Sequence, residues 1–167
     1  MTITITKALP EQEHIIQNMV QLYTHDFSDF WRGTPRGDLS PDGRFDDYPL
    51  DEYWSTPGWL ALLIWCDGAL AGFSLVNDKT HSGEPADHNM AEFFILRKYR
   101  GLGVGRLAAE TIFSQYPGSW EVAVARKNVP AYAFWSKSIQ GKATEIYETD
   151  ISNAVWNGPV IRFNWND

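Results

Sequence analysis

Apolar and polar positions change their period several times along the chain, and each change predicts an element. In Thr2–Lys7 isoleucines alternate with threonines, the two-residue repeat of a short β-branched strand. Pro10 is placed to open a helix, and Ile15, Ile16, Met19, Val20 and Tyr23 recur at helical spacing, predicting a helix through Leu22. From Asp26 to Pro57 that periodicity is gone. Gly33, Pro35, Gly37, Pro41, Gly43, Pro49 and Pro57 punctuate a long segment with room for a short helix or two. Loops of this length in a compact domain are usually functional or mobile. Trp59–Cys66 reads as a buried strand, Asp67-Gly68 as a hairpin turn, and Ala69–Val76 as the returning strand. A polar loop over 77–89 precedes a third strand of the meander, Met90–Leu96. Gly103–Gln115 carries Val104, Leu107, Ala108 and Ile112 on one helical face and is stopped by Pro117-Gly118. Trp120–Ala125 is a strand. Asn128 caps a helix to Ile139, with Pro130 in its first turn, and Ala143–Thr149 and Val160–Trp165 are the last two strands.

This order predicts one domain over residues 1–167, of α/β (α+β) class, with a mixed, mostly antiparallel sheet flanked by helices. Apolar residues make up 44% of the 167 positions and charged residues 21%, the balance of an ordinary globular domain. The longest apolar run, Trp59–Cys66, has eight residues, against the roughly 18 needed to span a bilayer. The N-terminal residues lack the zones of a secretion signal, and the single cysteine, Cys66, allows no internal disulfide, so a soluble cytoplasmic protein is expected. No paired spacing of His14, His25, His81 and His88 suggests a metal site. The net charge of −7 argues against nucleic-acid binding. It is unevenly spread: residues 1–92 carry −10 and residues 93–167 carry +3.

The chemistry concentrates in Phe93–Glu110. A buried strand runs into Arg97, Lys98 and Arg100, then into three alternating glycines, Gly101, Gly103 and Gly105, at the start of an amphipathic helix. Glycine lets backbone come close to a ligand, and the unpaired N–H groups and dipole of a helix start attract an anion. Arg100 and Arg106 add full charges. Gly103-Val-Gly-Arg-Leu-Ala108 also fits a dinucleotide fingerprint. Arg97–Gly101 intervene between the strand and its first glycine, however, and only some 60 residues follow, too few for a doubly wound domain.

Arg100-Gly-Leu-Gly-Val-Gly105, after a strand and opening a helix, resembles the acetyl-CoA signature of the Gcn5-related N-acetyltransferases (GNAT). Asn128-Val-Pro-Ala-Tyr-Ala-Phe-Trp135 resembles that family's second element and lies in the expected order. The resemblance covers nearly the whole chain. It implies a sheet splayed at the fourth strand, with main-chain groups of Phe94, Ile95 and Leu96 holding the pantetheine and acetyl carbonyl. Arg100, Gly101, Leu102, Gly103, Val104, Gly105 and Arg106 would cradle the diphosphate, with Asn128, Phe134 and Trp135 beside the pantetheine arm.

The implied reaction is direct acetyl transfer from acetyl-CoA to a primary amine, without a metal. Glu92 is the expected base: strand alternation puts it on one face with Met90, Phe94 and Leu96, where burial raises a carboxylate pKa. Glu121 is the second candidate. The family's usual tyrosine acid falls at Trp135, leaving Tyr132 as the substitute. Arg97, where the family often has proline, and Gly141-Lys142 are further departures. The acceptor is expected against the 26–54 region, at Asp26, Phe30, Trp31, Tyr53 and Trp54. Residues 26–52 carry a net −5 interleaved with aromatics, which points to a cationic small molecule or a basic group on a peptide. The protein is expected to act as a monomer or homodimer, with neither nucleic acid nor membrane as partner. The alternatives are a catalytically silent acetyl-CoA-binding domain and an NADP-binding oxidoreductase fragment.

Overall fold

Alternating isoleucines at the N-terminus and the two apolar runs joined by Asp67-Gly68 build one side of a seven-stranded sheet. The computed structural model describes residues 1–166. Strand β1 (Ile3–Lys7) is followed by helix α1 (Glu13–Ser28), a short helix α2 (Glu52–Ser55), and the meander β2 (Leu60–Cys66), β3 (Ala69–Asn77) and β4 (His88–Ile95). Then come α3 (Val104–Gln115), β5 (Gly118–Ala123), α4 (Val129–Gln140), β6 (Thr144–Ser152) and β7 (Asn157–Trp165). The strand order is β1-β2-β3-β4-β5-β7-β6, antiparallel throughout except between β4 and β5.

That parallel pair is brief. His88 pairs with Trp120 and Asn89 with Glu121, and the ladder goes no further. Beyond those positions β4 and β5 diverge, so the sheet opens between Ala91–Ile95 on one side and Val122–Ala125 on the other. One apolar cluster fills the face under α3 and α4, with Phe113, Trp120, Trp135 and Trp165 at its centre. The other fills the face under α1, with Ile16, Phe73, Leu75 and Phe94.

Two differences from the sequence pattern matter for the site. Helix α1 continues past Leu22 to Ser28 because Tyr23 and Phe27, one turn apart, pack edge-on at 4.8 Å and Tyr23 seats against Phe73 and Phe94. The register between β3 and β4 also slips, with Leu75 opposite Glu92 but Val76 opposite Met90. This bulge at Ala91 inserts a residue and breaks the alternation. Met90 therefore belongs to the α3/α4 face and Phe94 to the α1 face. The expected shared face of Met90 and Glu92 is thus corrected.

Candidate functional site

The glycine turn is built as a cradle. Gly101 and Gly103 have φ of +75° and +84°, a region open to glycine at little cost, and Gly103 caps α3. The N–H groups of the first turn, Val104 to Arg106, have no partner inside the helix. At Gly105 a Cβ would lie 3.1 Å from the Phe134 ring, so the missing side chain lets α3 approach α4. Val104 is buried and anchors the turn, while Leu102 and Arg106 are exposed. Arg100 donates through Nε to the Ile95 carbonyl (2.7 Å) and through Nη2 to Asp26 (2.5 Å), and Arg97 reaches Asp26 by two further hydrogen bonds. Burial raises the Asp26 pKa, but hydrogen bonds from Arg100 and Arg97 outweigh it and hold the carboxyl below its ordinary value. Asp26 is therefore a clamp for two arginines.

From this turn a groove of about 660 Å³ runs along Phe93–Ile95 to Asn128, Ala131 and Phe134. The Asn128 side-chain oxygen caps α4 by accepting from Ala131 N at 3.2 Å. The free N–H groups, positive dipole and arginines at one end suit a diphosphate, and the apolar strip beyond it suits a thin pantetheine-like arm.

The groove opens into a second lobe of about 550 Å³ between the parted strands, α1 and the 30–48 loop. Glu92 stands in it. Tyr23 donates to its Oε2 at 2.5 Å and Tyr48 to its Oε1 at 3.0 Å. Burial pushes the Glu92 carboxyl up, partly offset by hydrogen bonds from Tyr23 and Tyr48 and by the charges of His81 and Arg36. Burial and the adjacent carboxylate push both tyrosines well above 10, so they are donors at neutral pH. Behind them Tyr53, pushed up to about 12 chiefly by burial, accepts from Asn77 at 3.2 Å. Glu121 is fully buried and accepts from the main chain of His81 (2.5 Å) and Ser82 (3.3 Å) and from the Ser82 hydroxyl. Burial raises its pKa, and the His81 side chain together with these bonds overcomes that and brings it below the ordinary value.

The structure gathers Glu92, Phe94, Ile95, Arg100, Gly101, Gly103, Gly105, Arg106, Asn128, Phe134, Trp135, Phe30 and Trp31 along the two lobes, with Asp26 at the turn. Leu96, Leu102 and Val104 flank the turn without lining either lobe.

Other expectations are corrected. Tyr132 turns from the cleft, its hydroxyl donating to Glu148 on β6 at 2.9 Å; it lies about a quarter-turn round α4 from Ala131, which lines the cleft. Tyr53 and Trp54 lie outside both lobes: Tyr53 stacks on Trp59, and the Trp54 indole donates to Ala8 O. Glu121 is committed to the 81–82 main chain rather than to the cleft. The acids of the 26–52 segment, Asp26 apart, are exposed and line neither lobe, so their surplus says little about the acceptor. Tyr23, Tyr48, Arg36, His81 and Trp156 line the lobe unforeseen. They come from α1 (Tyr23), the 30–48 loop (Arg36 and Tyr48) and two later loops (His81 and Trp156), and no local spacing links them.

A family model described as acetyltransferase (GNAT) family matches residues 16–139. An acetyltransferase from Thermus thermophilus superposes with a TM-score of 0.65 at 16% identity, covering 98% of this chain and 96% of that one. A GNAT-family acetyltransferase from Streptococcus agalactiae gives 0.64 at 15%, with 99% and 96% covered. The PaiA N-acetyltransferase of Thermoplasma acidophilum, solved in complex with coenzyme A, gives 0.61 at 14%, with 99% and 100% covered. No curated protein matches the sequence. At these identities the likeness to solved structures shows the fold. It also agrees with the sheet, whose one parallel pair is no doubly wound dinucleotide domain.

Proposed function

The chain belongs to the acetyltransferase (GNAT) family, and from that premise we propose that it moves the acetyl group of acetyl-CoA directly to a primary amine. Acetyl-CoA supplies the activated acyl group as a thioester. The N–H groups around Gly101–Arg106, with Arg100 and Arg106, hold the diphosphate. The main chain of Phe94–Leu96 and the Asn128 amide orient the pantetheine arm, and the parted ends of β4 and β5 bring the thioester next to Glu92.

An amine of pKa about 10 is protonated at neutral pH and cannot attack until it loses a proton. Glu92 takes that proton, directly or through water, and its raised pKa brings it closer to the working pH. Tyr23 and Tyr48 fix the carboxylate and remain protonated. The Trp135 indole N–H can donate a hydrogen bond but keeps its proton. The departing sulfur therefore takes its proton from the amine by way of solvent, and the rate rests mainly on juxtaposition and Glu92.

The observation that carries this reading is a half-buried carboxylate, held by two tyrosines, at the point where the glycine-turn groove meets the second lobe. Acetyl-CoA should raise the Tm, and thiol release should follow with a suitable amine. Glu92→Gln should lower turnover by about 10²-fold while the Tm shift persists. An unchanged rate would remove Glu92 as the base. Trp135, with Tyr132 bound to Glu148, favours one other reading: a silent acetyl-CoA-binding domain, indicated by a Tm shift with no thiol release across a broad amine panel.

A further inference from the structure

Among the described residues, Glu92 is the single side-chain carboxylate lining the second lobe, against Arg36, His81, Arg126 and Lys127. Two of these side chains are engaged: Arg126 pairs with Asp150 at 2.9 Å, and Lys127 donates to the Phe30 carbonyl at 3.3 Å. Arg36 makes no ion pair among the described residues. Its guanidinium lies over the Trp31 ring at 4.4 Å, where stacking holds it without using its donors. That stack is built into the loop: Gly37 has φ +77°, and a Cβ there would sit 2.5 Å from the Trp31 ring. Opposite, the His81 and Trp156 rings lie 4.4 Å apart, inclined at 57°; His81 Nδ1 sits 3.7 Å from Glu121 Oε1, whereas the buried, donor-only Trp156 Nε1 has no protein hydrogen-bond partner. A buried donor of this kind is expected to be satisfied, and Trp156 lines the lobe. Arg36 and His81 also lie near enough to Glu92 for their charges to act on it.

Resting on the acetyltransferase reading above, we propose that the acceptor amine carries an anionic oxygen group, a carboxylate or its like. Arg36 binds that group with the His81–Trp156 wall, while the amine faces Glu92. Guanidinium and carboxylate match in shape and charge, and a charge-assisted pair is stronger than its neutral counterpart. The aromatic walls add an apolar body, so the class is a small apolar or aromatic amino acid rather than a polyamine. This reverses the charge preference that the acidic 26–52 composition suggested.

The deciding experiment titrates CoA-loaded protein with N-acetylphenylalanine and with its carboxamide, which differ in charge but contain no reactive amine. The acid should bind about tenfold tighter, and Arg36→Met should bring the ratio close to one. Equal binding, tighter binding of the carboxamide, no measurable binding of either, or an acid preference that survives Arg36→Met would overturn the proposal. Thiol release with phenylalanine and its carboxamide should follow the same order and lose it in Arg36→Met. The acetyltransferase reading is judged separately, by the acetyl-CoA Tm shift and by turnover of any amine. An enzyme that binds acetyl-CoA and acetylates uncharged amines equally well would keep that reading and lose this one.

Discussion

Glu92 is held between opposing influences: burial raises its pKa, while two phenolic donors and the neighbouring His81 and Arg36 lower it. Tyr48→Phe removes a hydrogen bond that favours the charged form, so the Glu92 pKa should rise further. The acid limb of the kcat/KM profile should then move to higher pH, and an unmoved limb would separate Tyr48 from the base. Glu121 is the converse, a carboxyl whose folded pKa lies below the ordinary glutamate value of about 4.3. Its contribution to stability is complete above that value and is lost as pH falls through it towards the lowered folded pKa. Glu121→Gln should cost roughly 1–3 kcal/mol at neutral pH and flatten the fall of Tm as pH drops below the ordinary glutamate value. An unaltered Tm–pH curve would contradict this. Glu92 could be found from its place in an apolar strand, whereas its partners could not. Tyr23 and Tyr48 lie 69 and 44 residues away, and only the folded chain brings them to it.

At the scale of elements, the turn into α3 was the most legible part, because three alternating glycines between a strand and a helix have few uses other than close approach. Each glycine serves differently in the fold, with positive φ at Gly101 and Gly103 and helix contact at Gly105. Gly105→Val would press on Phe134 and narrow the groove. The far-UV spectrum should be retained while acetyl-CoA affinity falls by about tenfold or more. Unimpaired affinity would count against the groove. The last turn of α1 was hidden because Thr24-His25-Asp26 reads as polar, and its tertiary partners, Phe73 and Phe94, lie in distant strands. The bulge at Ala91 left no sequence mark, since no glycine signals it. The 26–57 segment was correctly expected to have little regular structure, but composition could not tell which of its side chains turn inward. Its aromatics are buried or half-buried and Arg36, though exposed, lines the second lobe, whereas its acids other than Asp26 line neither lobe.

Across the whole molecule, the strands, helices and their order followed from periodicity and turn residues, as did a mixed sheet. The divergence of β4 from β5 is a property of the sheet alone. After two paired residues the ladder stops, leaving main-chain groups of β4 free of a neighbour on that side and opening the lobe that holds Glu92. The split in charge between the two halves of the sequence also resolves differently in three dimensions. Two basic residues of the second half, Arg97 and Arg100, meet Asp26 of the first half at the mouth of the groove.

A crystal structure of the protein with acetyl-CoA tests this account most directly. Diphosphate oxygens should lie within hydrogen-bonding distance of N–H groups between Gly101 and Arg106, and the thioester should sit where β4 leaves β5, facing Glu92. Density for the diphosphate elsewhere, or a thioester outside the gap between those strands, would contradict it.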